Sequence, residues 1–318
     1  MPFVDLPTRN LRQYYTINPF YAEGNLDMDL EAPAPPSKDA LDPNKPILVF
    51  NHAGTSSSQS FIYQFRDARL DEALNLVAFD TRYYGRTSGP RLDHYQDLEE
   101  RADELLDAID AVIGDRPFSY FGESFVGAHC GAYIAAKRPQ QVKAMILISP
   151  SFIEDSVEMC EILETQWRPL TASNKFGQGD GTGRLPDQAI DIARDYFFSG
   201  VTHVIDRQDA FCRQYQWHHG PGRDMWNIDQ LLRWFRRKSP PPEIFAAIRC
   251  PVLMMRGSRD LTVNPPEALQ QWSDALVNVA EEDKRQEHII DGAHFLATTD
   301  ANRVNRVALA FLKRYNLA

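Results

Sequence analysis

Three residues far apart in the chain have the types and surroundings that nucleophilic acyl chemistry needs. Ser124 stands in Tyr120-Phe121-Gly122-Glu123-Ser124-Phe125-Val126-Gly127, where an apolar run ends at a glycine and a run of small and apolar residues begins. A sharp turn from strand to helix there lifts the serine hydroxyl above a sheet edge, and a helix N-terminus favours negative charge beside it. The turn is crowded and demands small neighbours. Gly122 meets that demand two residues before the serine; two residues after it stands Val126, with the glycine one place later at Gly127. A serine hydroxyl is a weak nucleophile at neutral pH, so it needs a base, and the base needs an orienting acid. The base candidate is His294, which follows the apolar stub Ile289-Ile290 and the small residues Gly292-Ala293. The acid candidate is Asp260, a few residues past the apolar run Pro251–Arg256 and just before Pro265. Asp291, Glu154 and Asp155 are its rivals.

A serine attacking a carbonyl also needs donors for the oxyanion that forms. The apolar run Pro46–Phe50 leads into Asn51-His52-Ala53-Gly54-Thr55. Small residues at a strand end let backbone N–H groups face a ligand, so Ala53 offers one donor, and Phe125, next after the serine, offers the other. His52 and Gly54 border the same place and are expected to touch substrate.

These groups need elements to hold them. Pro46–Phe50, Leu74–Phe79, Pro117–Gly122, Val142–Ser149 and Pro251–Arg256 are short runs rich in Val, Ile, Leu, Phe and Met. Continuous apolar runs mean burial on both faces, as in a parallel sheet covered by helices. Helical patterns lie between and after them. Gln96–Ile113 sets Leu98, Ala102, Leu105, Leu106, Ile109 and Val112 on one face and acids on the other; Phe125–Lys137, Pro265–Val279 and Thr298–Tyr315 follow. Alternating strands and helices predict an α/β fold with one doubly wound, mostly parallel sheet. Ala32–Pro46, with five prolines, reads as a surface loop.

One stretch breaks the alternation. From Phe152 to Arg249 there are helical patterns and no buried strand, and four of the five tryptophans lie there. The chain thus divides into a first core part (1–151), a helical cap or lid (152–249) and a second core part (250–318). The cap residues expected to line a pocket are Trp167, Phe198, Trp217, His218 and Trp226.

Composition narrows the partners. The 318 residues carry 44 acidic and 34 basic side chains, a net charge of −10, so nucleic acid is excluded as a partner on electrostatic grounds. Cys130, Cys160, Cys212 and Cys250 have no paired spacing, so neither a disulfide framework nor a metal site is expected, and they read as buried thiols. No apolar run is long enough for a membrane span, and the N-terminus lacks a signal-peptide pattern, so a cytoplasmic protein is expected. No cofactor is called for, and the sequence sets no oligomeric state.

The chain order Ser124, Asp260, His294 resembles that of the α/β-hydrolase superfamily. Asn51-His52-Ala53-Gly54-Thr55 is similar to its oxyanion loop, Asp80-Thr81-Arg82-Tyr83-Tyr84-Gly85-Arg86-Thr87-Ser88 to its DxRGxGxS turn with Tyr83 in place of a glycine, and Gly257-Ser258-Arg259-Asp260 to its acid loop. The resemblance covers nearly the whole chain and implies the α/β-hydrolase fold, with the cap inserted after the sixth strand. It also implies a Ser124–His294–Asp260 triad that cleaves an ester or lactone through an acyl-enzyme, and the Trp, Phe and Tyr content of the cap suggests a mainly apolar small-molecule substrate. A carbon–carbon hydrolase with the same triad, or a ligand-binding protein on this scaffold, are the alternatives; serine in place of aspartate argues against the epoxide hydrolase and haloalkane dehalogenase branches.

Overall fold

A computed structural model describes residues 3–18, 38–54, 56–154, 240–261 and 263–318, with a few positions between 157 and 234. Eight strands form one sheet in the order β1-β2-β4-β3-β5-β6-β7-β8. They are β1 (Phe3–Leu6), β2 (Leu11–Ile17), β3 (Ile47–Asn51), β4 (Asn75–Phe79), β5 (Phe118–Glu123), β6 (Val142–Ile148), β7 (Val252–Gly257) and β8 (Lys284–Ile289). Pairing is parallel from β4 to β8 across the sheet, while β1 with β2 and β2 with β4 are antiparallel. The chain is therefore α/β and mostly parallel, as its apolar runs predict. The β1–β2 ribbon is an addition to that prediction, and β8, expected only as a short stub, is a six-residue edge strand.

Both faces of the central strands are buried, which explains their unbroken apolar character. Along β3, Ile47 and Val49 join one core, and Leu48 and Phe50 join the other. The first core is closed by helices Leu98–Ile113, Ser124–Lys137 and Pro266–Ala275, through residues such as Leu105, Ile134 and Trp272. The second is closed by Ala301–Arg314 and the short helices Ile62–Phe65 and Ala68–Ala73, through Phe311, Phe65 and Leu70. Helix Leu98–Ile113 starts where its sequence says it should. Asp97 accepts from Glu100 N at 2.7 Å and Glu100 accepts from Asp97 N at 2.9 Å, a reciprocal cap that satisfies two otherwise orphaned donors.

The strand order reverses at β3. The chain passes from β3 outward to β4, then returns to place β5 on the other side of β3. The two flanking loops are thus drawn apart above the C-terminal ends of β3 and β5, leaving a crevice where ligands bind in open α/β sheets. Both Asn51-His52-Ala53 and Glu123-Ser124-Phe125 leave the sheet there, and Asn51 is directly opposite Gly122.

Cys130 is a buried free thiol, whereas Cys160 and Cys250, expected to be buried as well, are only partly so, Cys250 packing against the edge of the first core. Cys212 lies outside the described residues, as do Trp167, Trp217, His218 and Trp226. Among the described residues no helix is long and apolar enough to cross a membrane.

Candidate active site

Ser124 opens its helix with φ of +61°, in the left-handed region that a non-glycine residue seldom occupies. Such strain persists only where surrounding structure imposes it, and it clusters at functional sites. Here the imposing contact is between glycines. A Cβ on Gly127 would lie 2.7 Å from the Asn51 carbonyl oxygen, and one on Gly122 would lie 2.5 Å from the Gly127 carbonyl oxygen. The Tyr120 hydroxyl donates to that same carbonyl at 2.8 Å and accepts from Asn51 Nδ2 at 2.9 Å, which fastens the helix start to β3 and β5. The sequence pattern flagged Val126 as the misplaced bulky residue. Val126 is in fact fully buried in the first core, and the space requirement falls on Gly122 and Gly127.

The Ser124 hydroxyl lies 2.8 Å from His294 Nε2, and His294 Nδ1 lies 2.6 Å from Asp260 Oδ2. His294 is fully buried, and Asp260 nearly so. The other Asp260 oxygen accepts from Asn264 N at 3.1 Å. With a carboxylate at Nδ1, that nitrogen carries the proton and Nε2 is left to accept one. Backbone contacts hold the two loops in place. A Cβ on Gly257, at the end of β7, would meet the Gly292 carbonyl oxygen at 2.2 Å, so the acid loop and the histidine loop touch main chain to main chain. Ser149 Oγ donates to the His294 carbonyl at 2.6 Å, and His294 N donates to the Phe197 carbonyl at 3.0 Å. The Phe197 ring stacks on the imidazole at 5.7 Å.

The rival acids are elsewhere. Asp291 is exposed and pairs with Arg259 at 3.3 Å, Glu154 is exposed, and Asp155 lies outside the described residues. Among the described residues no cluster of three or more His, Cys, Asp or Glu side chains could hold a metal ion.

The loop after β3 is built from buried polar contacts. Ala53 and Gly54 are buried, and the Ala53 carbonyl accepts from Ser56 N at 3.2 Å. His52, expected among the residues touching substrate, has both ring nitrogens committed within the protein. Nε2 accepts from Thr81 N at 3.1 Å, which puts the proton on Nδ1, and Nδ1 donates to the Ala53 carbonyl at 2.6 Å. Burial pushes the His52 pKa down to about 3, so the ring stays neutral. Glu123 is the opposite case. Its carboxyl is fully buried, and burial raises its pKa to about 8 against the smaller opposing influence of Ser60 and the Ala297 backbone, so it is protonated at neutral pH.

Phe198 is buried against Phe295, with ring centroids 6.0 Å apart. Its neighbour Phe197 and the more distant Trp234, neither singled out as pocket-lining from the sequence, touch residues of the candidate site. Phe197 holds His294 as described, and Trp234 packs 6.5 Å from the Phe125 ring. The aromatic density of the segment between β6 and β7 was the available signal; which ring faces which loop was not in it.

A sequence search of the curated proteins found no match. Solved structures with the same fold include the enol-lactonase from Burkholderia xenovorans LB400, at 16% identity and a TM-score of 0.70, covering 98% of this chain and 100% of that one. An esterase from Thermogutta terrifontis is 14% identical with a TM-score of 0.68, over 96% of this chain and 94% of that one. A meta-cleavage product hydrolase from Pseudomonas fluorescens IP01 is 12% identical with a TM-score of 0.66, over 96% and 95%. At such identities the likeness is one of fold. The family profile described as alpha/beta hydrolase fold matches residues 46–301, from the start of β3 to the start of the last helix. That span includes Ser124, Asp260 and His294 in the order the resemblance requires, and the chain belongs to the α/β hydrolase fold family.

Proposed function

We propose that the protein is a serine hydrolase that cleaves an ester or lactone of a mainly apolar small molecule through an acyl-enzyme. The observation that carries this reading is the buried relay from Asp260 Oδ2 through His294 to Ser124 Oγ, with links of 2.6 and 2.8 Å and the serine in a strained turn. His294 Nε2 takes the Ser124 proton as the oxygen attacks the substrate carbonyl. Asp260 holds the Nδ1–H tautomer and steadies the imidazolium. The Ala53 and Phe125 N–H groups face the developing oxyanion, and loss of one such donor typically costs about 10²–10³ in turnover. Collapse of the intermediate breaks the bond to the leaving oxygen, which receives the proton from His294. Water then adds to the acyl-enzyme with His294 as base, and the carboxylic acid leaves as Ser124 regains its proton. Residues 152–249 act as the cap in this reading, supported by the contacts of Phe197 with His294 and of Trp234 with Phe125.

A carbon–carbon hydrolase using the same relay is the second reading; the meta-cleavage product hydrolase among the fold neighbours favours keeping it. Intact-mass labelling with a fluorophosphonate tests the shared premise. One adduct on the wild type and none on Ser124→Ala is expected, followed by turnover of aryl esters or lactones. No adduct on folded wild type would overturn the nucleophile assignment, and activity confined to diketones would replace the ester reading with the carbon–carbon one.

A further inference from the structure

Two arginines are almost completely buried beside the loop that follows β3, and their surroundings differ. Each of the three guanidinium nitrogens of Arg82 has an acceptor. Its Nε donates to Glu104 Oε2 at 2.8 Å, Nη1 to the Pro90 carbonyl at 3.1 Å, and Nη2 to the Arg9 carbonyl at 2.8 Å. Arg101 has one side-chain acceptor among the described residues, the Thr81 hydroxyl, which accepts from Nη2. Its Nε and Nη1 have no hydrogen-bond partner among the described residues. Its guanidinium carbon sits 5.1 Å from the Tyr84 ring centroid and 4.8 Å from that of Trp234, so the cation is bounded by two aromatic rings. The nearby Glu104 carboxylate is paired with Arg82. A buried cation with unmet donors is costly, and an apolar side chain of similar volume would be as stable or more so.

What Arg101 does reach is a directional chain. The Thr81 hydroxyl accepts from Arg101 and lies 3.0 Å from His52 Nε2, whose one lone pair it shares with the Thr81 N–H at 3.1 Å; His52 Nδ1–H then donates to the Ala53 carbonyl at 2.6 Å. The last bond closes a ring of atoms that contains the 52–53 peptide. That peptide carries the Ala53 N–H, one of the two oxyanion donors in the proposed mechanism. On the other side of Arg101, Trp234 packs against Phe125, the residue of the second donor.

We propose that Arg101 is a positioning residue for oxyanion stabilisation: through Thr81 and His52 it fixes the 52–53 peptide, and through Trp234 it borders Phe125. The proposal rests on the serine-hydrolase reading for its catalytic consequence, but not for its structural one. Hydrogen bonds in such a chain polarise one another, so the cation at its head strengthens every link. A charge held in a water-excluded place also favours the anionic intermediate without reorganising as it forms. Burial together with the Arg101 charge keeps the His52 ring neutral, which the chain requires because Nε2 must accept.

The test compares wild type with Arg101→Met, Arg101→Lys and Thr81→Val. Three quantities are read: thermal midpoint, amide hydrogen exchange of the peptide spanning residues 51–57, and the rate of fluorophosphonate labelling at Ser124 with kcat and KM on an aryl ester. Arg101→Met is expected to keep or raise the midpoint, speed exchange at His52–Gly54, and lower the labelling rate and kcat about 10- to 100-fold with KM little changed, the size of effect that small misplacements of catalytic groups produce. Arg101→Lys should recover part of the rate. Thr81→Val, which keeps the Thr81 N–H but removes the hydroxyl link, should give a smaller loss of the same kind and covers the case in which Arg101→Met does not fold. Unchanged exchange and labelling in folded Arg101→Met would overturn the proposal, as would a lower midpoint with full activity in the folded fraction. A wild type that takes no label overturns the serine-hydrolase reading, and exchange at residues 51–57 then decides the role of Arg101 by itself.

Discussion

Two histidines flank the crevice, each at the centre of a buried hydrogen-bond relay, and the relays are charged in opposite senses. On the β7–β8 side a carboxylate, Asp260, is bonded to His294 Nδ1, and Nε2 points at the Ser124 hydroxyl. On the β3–β4 side a guanidinium, Arg101, heads the chain, and His52 Nε2 is filled by Thr81 while Nδ1–H is spent on the Ala53 carbonyl. The carboxylate-headed ring presents an acceptor nitrogen to Ser124; the guanidinium-headed ring has both nitrogens engaged inside the protein and is neutral at neutral pH. In the proposed mechanism the same side chain serves as a proton carrier in one place and as a rigid spacer in the other, and the difference lies in what is bonded to its two nitrogens.

The comparison breaks most visibly at the proton carrier. His294→Ala and Ser124→Ala should each lower kcat by about 10⁴-fold or more while the protein stays folded, measured on whichever aryl ester the wild type turns over. Near-normal turnover in His294→Ala would make the two histidines equivalent. Asp260→Asn should come next, with a loss of up to about 10⁴-fold in kcat from the wrong tautomer. Asp291→Asn, at an exposed ion pair, should leave kcat within about two-fold of wild type. His52→Ala should cost less than any triad change, about 10- to 100-fold in kcat, because it loosens a donor rather than removing the base.

The smallest effects sharpen the contrast through pH. His52 has a depressed pKa, about 3 against an ordinary 6.5, so its neutral state stabilises the fold fully above pH 6.5, and that contribution is lost as pH falls toward 3. Glu123 has a raised pKa, about 8 against 4.5, so its contribution is full below pH 4.5 and is lost as pH rises toward 8. Urea unfolding across this range should show stability falling toward both ends. Glu123→Gln should flatten the alkaline side and leave the acid side as it was; an unchanged alkaline side would assign that loss to another group.

Much of this architecture is legible in the sequence because the local signals are strong. A doubly buried strand such as β5 must be apolar throughout, and the switch from that run to Gly122-Glu123-Ser124 marks the turn. The acid could not be chosen by pattern: Asp260 and Asp291 both sit in loops near His294, and only the meeting of β7 and β8 turns one inward and leaves the other with Arg259. The β1–β2 ribbon was missed because its short segments mix polar and apolar residues at the sheet margin, and β8 was read short because an edge strand needs no continuous apolar run. Arg101 was invisible for a different reason. In Gln96-Asp97-Leu98-Glu99-Glu100-Arg101-Ala102-Asp103-Glu104 it looks like one more charge among many, although it stands three residues after Leu98 and four before Leu105 on the apolar face; that Tyr84 and Trp234 border it is not in the spacing.

The contact between Phe197 and His294 bears on how such enzymes can be recombined. The Phe197 carbonyl accepts the His294 N–H, and its ring stacks on the imidazole, so the segment between β6 and β7 is part of the mounting of His294. Grafting a foreign insert onto this core would therefore change more than substrate choice. A chimera that keeps residues 197 and 198 in register should inherit the core's chemistry, and one cut on either side of them would begin with a histidine short of a backbone partner.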